Sequence, residues 1–240
     1  MNANSQNWFC ATFDEVPEAT APAGFKSRAA FLNSAYWEQA AITVSFLSGS
    51  EELHQRVAAI AKTWRTDAGA DVNFEFWIGS DRDPNDAHIR IDFQPGKGSW
   101  SHLGKHSKKV PRDRATMNLG WMTLALAEDK ARAVVLHEFG HALGLIHEHM
   151  NPEKPIDWDR DAVIEDLHRT QNWDDATIER NMFAKYQPGT LTTTAVDPNS
   201  IMMYPIPAHW TRNGFSTGFN SELTGQDKKM IRDVYGRQLA

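Results

Sequence analysis

The eleven residues HEFGHALGLIH, His137 to His147, constrain this chain more than any other stretch. Residues four apart on a helix lie on one face a turn apart, so His137 and His141 offer two imidazoles to a single point. Glu138 stands about 100° round the helix from His137, beside that point rather than on it. Gly144 takes positive φ without steric cost, so the chain leaves the helix there and turns sharply, bringing His147 back as a third nitrogen. Three neutral nitrogens with an open fourth position are the donor set of catalytic Zn2+, whereas structural zinc is usually closed by four protein ligands rich in cysteine. The chain has one cysteine, Cys10, which excludes a cysteine-rich site and any intramolecular disulfide.

The chemistry follows from the ion. Zinc held this way lowers the pKa of its water from about 15.7 toward roughly 7 and polarises a carbonyl oxygen. Glu138 then takes the water's proton and passes it to the leaving amine, which is hydrolysis of a peptide bond without a covalent acyl-enzyme.

The other 229 of the 240 residues must build walls around that site, and the composition allows it: 41% hydrophobic and 23% charged residues describe an ordinary globular chain, not a disordered, collagenous or coiled-coil one. The net charge of −6 leaves no basic excess for nucleic acid or an anionic membrane surface. No run approaches the 18 apolar residues of a membrane span, and MNANSQNWFCATF has neither a basic nor an apolar leader segment. The expectation is a monomer with protein or peptide substrates and neither nucleic-acid nor membrane partners. Its compartment is left open between the cytoplasm and export by an unusual route.

Residues 1–35, broken by Pro17, Pro22 and Gly24, are expected to form an extended arm, with one short helix near Arg28 to Trp37. AITVSF, VNFEFWIG and HIRIDF alternate apolar residues at period two and predict strands; ATMNLG is a further candidate. A helix capped by Ser48 or Ser50 carries the stripe Leu53, Val57, Ile60, Ala61 and Trp64, and another spans about Asp129 to Leu143. Helical patches are expected at Asp159 to Arg169 and Asp174 to Phe183, and a terminal helix at LTGQDKKMIRDVYG starts with a capping-box-like Thr224 and Asp227. The loop SDRDPNDA, with Asp81, Asp83 and Asp86, lacks calcium-loop spacing and is a solvated turn. The basic residues from Lys105 to Arg114 are a solvated loop as well.

With these motifs in view, the chain resembles the metzincin metallopeptidases, whose pattern is His-Glu-x-x-His-x-x-Gly-x-x-His followed by a Met-turn. SIMMY, Ser200 to Tyr204, stands where that turn belongs, and Glu148 together with Ser-x-Met-x-Tyr is similar to the astacin branch. Similarity extends to GSWSHLG, like the edge-strand region lining a substrate cleft, and to the terminal helix, so it covers roughly residues 40 to 236. The resemblance implies an α+β fold. Its N-terminal subdomain, about 36–147, holds a twisted mixed sheet and two long helices, and an irregular C-terminal subdomain, about 148–240, ends in a helix. A cleft between them takes an extended peptide antiparallel to the edge strand. It implies a zinc endopeptidase in which His137, His141 and His147 bind the metal and Glu138 is the general base. Met202 forms an apolar floor beneath the ion. Tyr204 is a fifth ligand in the free enzyme that swings away to hydrogen-bond the oxyanion. The glutamate matching Glu148 supports the buried mature N-terminus or neighbouring structure; a surface carboxylate is the alternative.

With one cysteine the chain departs from typical astacins in having no intramolecular disulfide, and it is expected to depart from them in lacking a signal peptide as well. If residues 1–35 are a prosegment, Cys10 can reach the zinc as a thiolate and keep the enzyme latent; the alternative is a small buried hydrophobe. Two rival functions stay open: a catalytically silent metal-binding or interaction module, and a zinc hydrolase of a non-peptide amide or ester. His149 and the six scattered histidines are given no metal role.

Overall fold

Period-two alternation decides the sheet. The computed structural model describes residues 10, 30–39, 41–69, 71–152, 156–184, 186, 191–192 and 196–236. The arm, residues 1–35, is described only at Cys10 and Ala30–Ala35; the rest of it lies outside the described residues. Strand β1 is Phe31–Leu32, β2 Ala41–Phe46, β3 Asn73–Phe76, β4 Ile89–Asp92, β5 Ser99–Ser101 and β6 Met117–Leu119. The five-stranded sheet runs β3-β2-β4-β6-β5, parallel except for β5, which lies antiparallel at the edge with Trp100 opposite Asn118. Ile42, Val44, Ile89, Ile91, Met117 and Leu119 are all buried. Arg90, in the middle of β4, is also buried, because its guanidinium donates to the carbonyls of Ala87, Val110, Pro111 and Arg114.

Helix α1, Glu51–Ala61, is capped by the Ser50 hydroxyl, which accepts from Leu53 N at 3.3 Å. Its apolar stripe continues past a break at Lys62 into the short α2, Thr63–Thr66, so Trp64 is buried as expected. Helix α3, Glu128–Ala142, packs against α1, β5 and β6 and carries the first two histidines of the motif.

A helix near Arg28 to Trp37 does not form within the described residues. Phe31 bridges Leu145, Leu32 N donates to the Gly144 carbonyl, and β1 pairs with β7, Leu191–Thr192, before one 3-10 turn at Asn33–Ala35. Partners distant in sequence satisfy this backbone better than a local helix would. Beyond the motif, α4 spans Arg160–Gln171 and stops at left-handed Asn172, while α5, Asp175–Ile178, runs into a π-turn at Glu179–Phe183. Helix α6, Gly225–Tyr235, begins with the full Thr224–Asp227 capping box.

Three apolar clusters result among the described residues: a small one that includes Leu32, Leu103, Ile146, Met150 and Tyr186, and two larger cores. One joins the sheet, α1, α3 and, from the chain's far end, Met230, Ile231, Val234 and Tyr235 of α6. Tyr235 binds α6 there, its hydroxyl donating to the Leu143 carbonyl at 2.8 Å and its ring stacking on Tyr36. The other gathers Val163, Leu167, Ile178, Met182 and Trp210. The SIMMY segment passes from one to the other: Ile201 and Met202 lie in the first, Met203 and Tyr204 in the second. Among the described residues no helix is long and apolar enough to cross a membrane.

Candidate metal centre and cleft

Helical spacing places His137 and His141 as expected, with ring centroids 4.8 Å apart. At the end of α3, Gly144 adopts φ +100°, and a side chain there would come within 2.7 Å of the Phe31 ring. This turn returns His147 so that its Nε2 lies 3.1 Å from His141 Nε2. Two nitrogens about 2.0–2.1 Å from a tetrahedral zinc are separated by about 3.3 Å, so the pair fits one ion.

The tautomers fit as well. His137 Nδ1 donates to the Ile201 carbonyl and His141 Nδ1 to the Leu145 carbonyl, each at 2.8 Å, which leaves both Nε2 lone pairs for a metal. His137 Nε2 and His147 Nδ1 are buried with no hydrogen-bond partner among the described residues. Loss of water holds the His137 imidazole down at about 4, and burial, with the neighbouring histidines, holds His141 and His147 well below the usual range. Uncharged rings are the form that coordinates.

Cys10 is the fourth member. Ligand atoms of Cys10, His137, His141 and His147 all lie within 4.8 Å of one another, the only such group of three or more His, Cys, Asp or Glu among the described residues. The Asp81–Asp86 loop belongs to no such group: Asp83 caps the turn at Pro84–Asp86, and Asp86 pairs with Arg112. Lys105 in the basic loop pairs with Glu38. The Cys10 thiol donates to Glu138 Oε2 at 3.4 Å and is also reached by the Ser101 backbone of edge strand β5. Burial, then the nearby Glu138 carboxylate, raises the thiol's pKa. Glu138 is itself buried, and desolvation lifts its carboxyl to about 8.

Tyr204 donates its hydroxyl to the Cys10 carbonyl. Its ring lies over His147, centroids 4.2 Å apart, and over His149 at 4.6 Å. Met202 presses its sulfur on α3 so closely that a side chain at Gly140 would come within 2.4 Å of it. A cleft opens beside His137 and Glu138, with Trp121, Val134, Met203 and Phe219 among its walls. Phe219 lines it, whereas Trp210 is buried in the second core and Phe215 packs on that core.

Sequence reasoning passed over His149 and left Glu148 between a supporting and a surface role. His149 is buried, donates from Nε2 to the Asn181 carbonyl at 2.8 Å and supports Tyr204, but a histidine two past the motif carries no periodic signal. Glu148 is not a surface carboxylate: it is buried, Oε1 accepts from Asp197 N and Asn151 Nδ2, and burial raises its carboxyl to about 8.

The sequence model of the peptidase family described as Astacin matches residues 31–232. Protein SpAN of Strongylocentrotus purpuratus is 30% identical over 142 residues, 58% of this chain and 19% of that protein. Zinc metalloproteinase nas-34 of Caenorhabditis elegans is 31% identical over 126 residues, 52% of this chain and 18% of its own length. The chain thus spans about a fifth of these curated relatives. The solved structure of myroilysin superposes with a TM-score of 0.81 at 35% identity, covering 88% of this chain and 100% of that one.

Proposed function

The chain belongs to the astacin family of peptidases, and on that premise we propose that it is a zinc-dependent endopeptidase whose catalytic residues are Glu138 and Tyr204 and whose metal ligands are His137, His141 and His147. One observation carries the reading. Glu138 meets the thiol of residue 10 while Tyr204 meets its carbonyl, so a general base and a hydrogen-bond donor address a single residue beside the metal-ligand cluster.

Zn2+ bound by the three imidazoles supplies a Lewis acid that brings the pKa of water toward neutrality. The protein's own groups do the rest. Edge strand β5 aligns the substrate backbone as an added strand, and the cleft beside Val134 and Phe219 receives an apolar side chain. Glu138 accepts the attacking water's proton and delivers it to the departing amine. Tyr204 donates to the oxyanion as it donates to the Cys10 carbonyl here.

The same contacts make the described form latent. Cys10 occupies Glu138 and stands among the ligand atoms, so it serves as the fourth ligand until the arm departs. The arm is expected to separate from the body at about residue 35; the burial of most of Ala30–Ala35 and the bond from Ile146 N to the Ala30 carbonyl favour a division nearer Ala30.

Cleavage of an unbiased peptide library, read by mass spectrometry, tests all of this. Zinc-loaded full-length Cys10→Ala is expected to make internal cuts faster than the parent, and Glu138→Ala in that background is expected to make none while keeping its zinc. Equal rates for parent and Cys10→Ala would remove the latency. Absence of cuts by Cys10→Ala, with zinc present, would favour a silent binding module.

A further inference from the structure

Asp227 is an acid on α6, the helix that returns to the first core, and it is 1% exposed. A capping residue needs only its own helix's start, yet this carboxylate makes more bonds than capping uses. Oδ2 accepts from Thr224 N at 2.9 Å, which completes the capping box. Oδ2 also accepts from Ile201 N at 3.0 Å, and Oδ1 accepts from the Ser200 hydroxyl at 2.6 Å. The Ser200 oxygen in turn accepts from Met202 N at 3.0 Å.

Two consecutive peptide groups are thereby fixed: the N–H of Ile201 directly, and that of Met202 through Ser200. The peptide that carries the Met202 N–H also carries the Ile201 carbonyl, and that carbonyl receives His137 Nδ1 at 2.8 Å. We propose that Asp227 is a positioning residue for the metal centre, holding the Ser200–Met202 turn so that the Ile201 carbonyl sets the tautomer and orientation of His137. The role rests on His137 being a zinc ligand. Partners of this kind typically change metal affinity by 10–100-fold.

Replacement by Asn turns one oxygen into an N–H donor that only a hydroxyl such as Ser200's could meet, by turning from donor to acceptor, and it removes the charge that strengthens the bonds from Ile201 N and Thr224 N. The test is the zinc dissociation constant of full-length protein against a chromophoric chelator, with thermal unfolding of the zinc-free forms beside it. Asp227→Asn is expected to weaken zinc binding by about 10–100-fold. Thr224→Ala deletes the cap hydroxyl that accepts from Asp227 N; it is expected to lower the unfolding temperature and to leave zinc affinity near that of the parent. An Asp227→Asn protein that is less stable but binds zinc like the parent would reduce Asp227 to a capping residue and overturn the proposal. Should Asp227→Asn fail to fold, Ser200→Ala decides, since it removes the relay and leaves the cap. About tenfold weaker zinc binding supports the role, and parental affinity overturns it. A parent chain that takes up no zinc would instead overturn the metal reading itself, and the positioning role with it.

Discussion

The proposed metal centre has a helical half and a turn-borne half, held in place by different physics. His137, Glu138 and His141 stand on α3, where backbone hydrogen bonds and the flanking core fix their spacing. His147, Met202 and Tyr204 come from irregular chain, where nothing periodic holds them. Side chains do it instead: Asp227 tethers the turn at Ser200 and Ile201, Glu148 binds Asp197 N, and His149 backs Tyr204. A helix places catalytic groups by repetition, and a turn places them only by buried polar bonds, which are costly to leave unmade.

The sharpest way to probe that contrast is to remove chemistry from each half without disturbing geometry. Glu138→Gln, in a Cys10→Ala background, is expected to lower kcat by about 10²–10⁴, with zinc content unchanged by elemental analysis. Tyr204→Phe removes one oxyanion donor from the other half and is expected to cost about 10²–10³ in kcat, with KM little altered in steady-state assays. If both variants lost zinc as well, the halves would not be separable.

Backbone changes come next. Gly144→Val forces a β-branched residue to φ +100° against Phe31 and is expected to destabilise by about 1–3 kcal/mol, measured by urea unfolding. Because the strain falls on the link between the halves, zinc affinity should drop more than for a destabilising change elsewhere in α3. The smallest effect is expected at Gly140→Ala, where the new methyl meets the flexible end of Met202: about 1 kcal/mol by the same measurement. A loss of several kcal/mol there would mean that the Met202 floor is as rigid as the helix.

The same contrast explains what could be read from residues alone. The helical half was legible, because i to i+4 spacing is local and α3 runs over the expected residues; so were β2, β3, β4 and β6, Gly144 and the Thr224–Asp227 cap. Tyr204 and Met202 emerged only by resemblance to a family pattern, since composition would place both simply in the core. Asp227's bonds to Ser200 and Ile201 span 26 residues or more, and no short-range signal distinguishes a cap that also anchors a distant turn. The segment around Phe31 shows the converse failure, where a locally helical stretch yields to pairing with Leu145 and β7. Distant partners decide such cases.

Cys10 has one consequence outside catalysis. It is the chain's sole sulfhydryl, 3% exposed and lodged against Glu138. A thiol-reactive dye therefore has a single address on this molecule, and that address is covered whenever Cys10 is seated between Glu138 and Tyr204. When reseating outpaces the reagent, the labelling rate is the reagent's intrinsic rate multiplied by the fraction of time Cys10 is unseated. The chain thus carries its own stoichiometric reporter, through which the seating equilibrium can be read without a substrate, an engineered probe or a second cysteine to confuse the count.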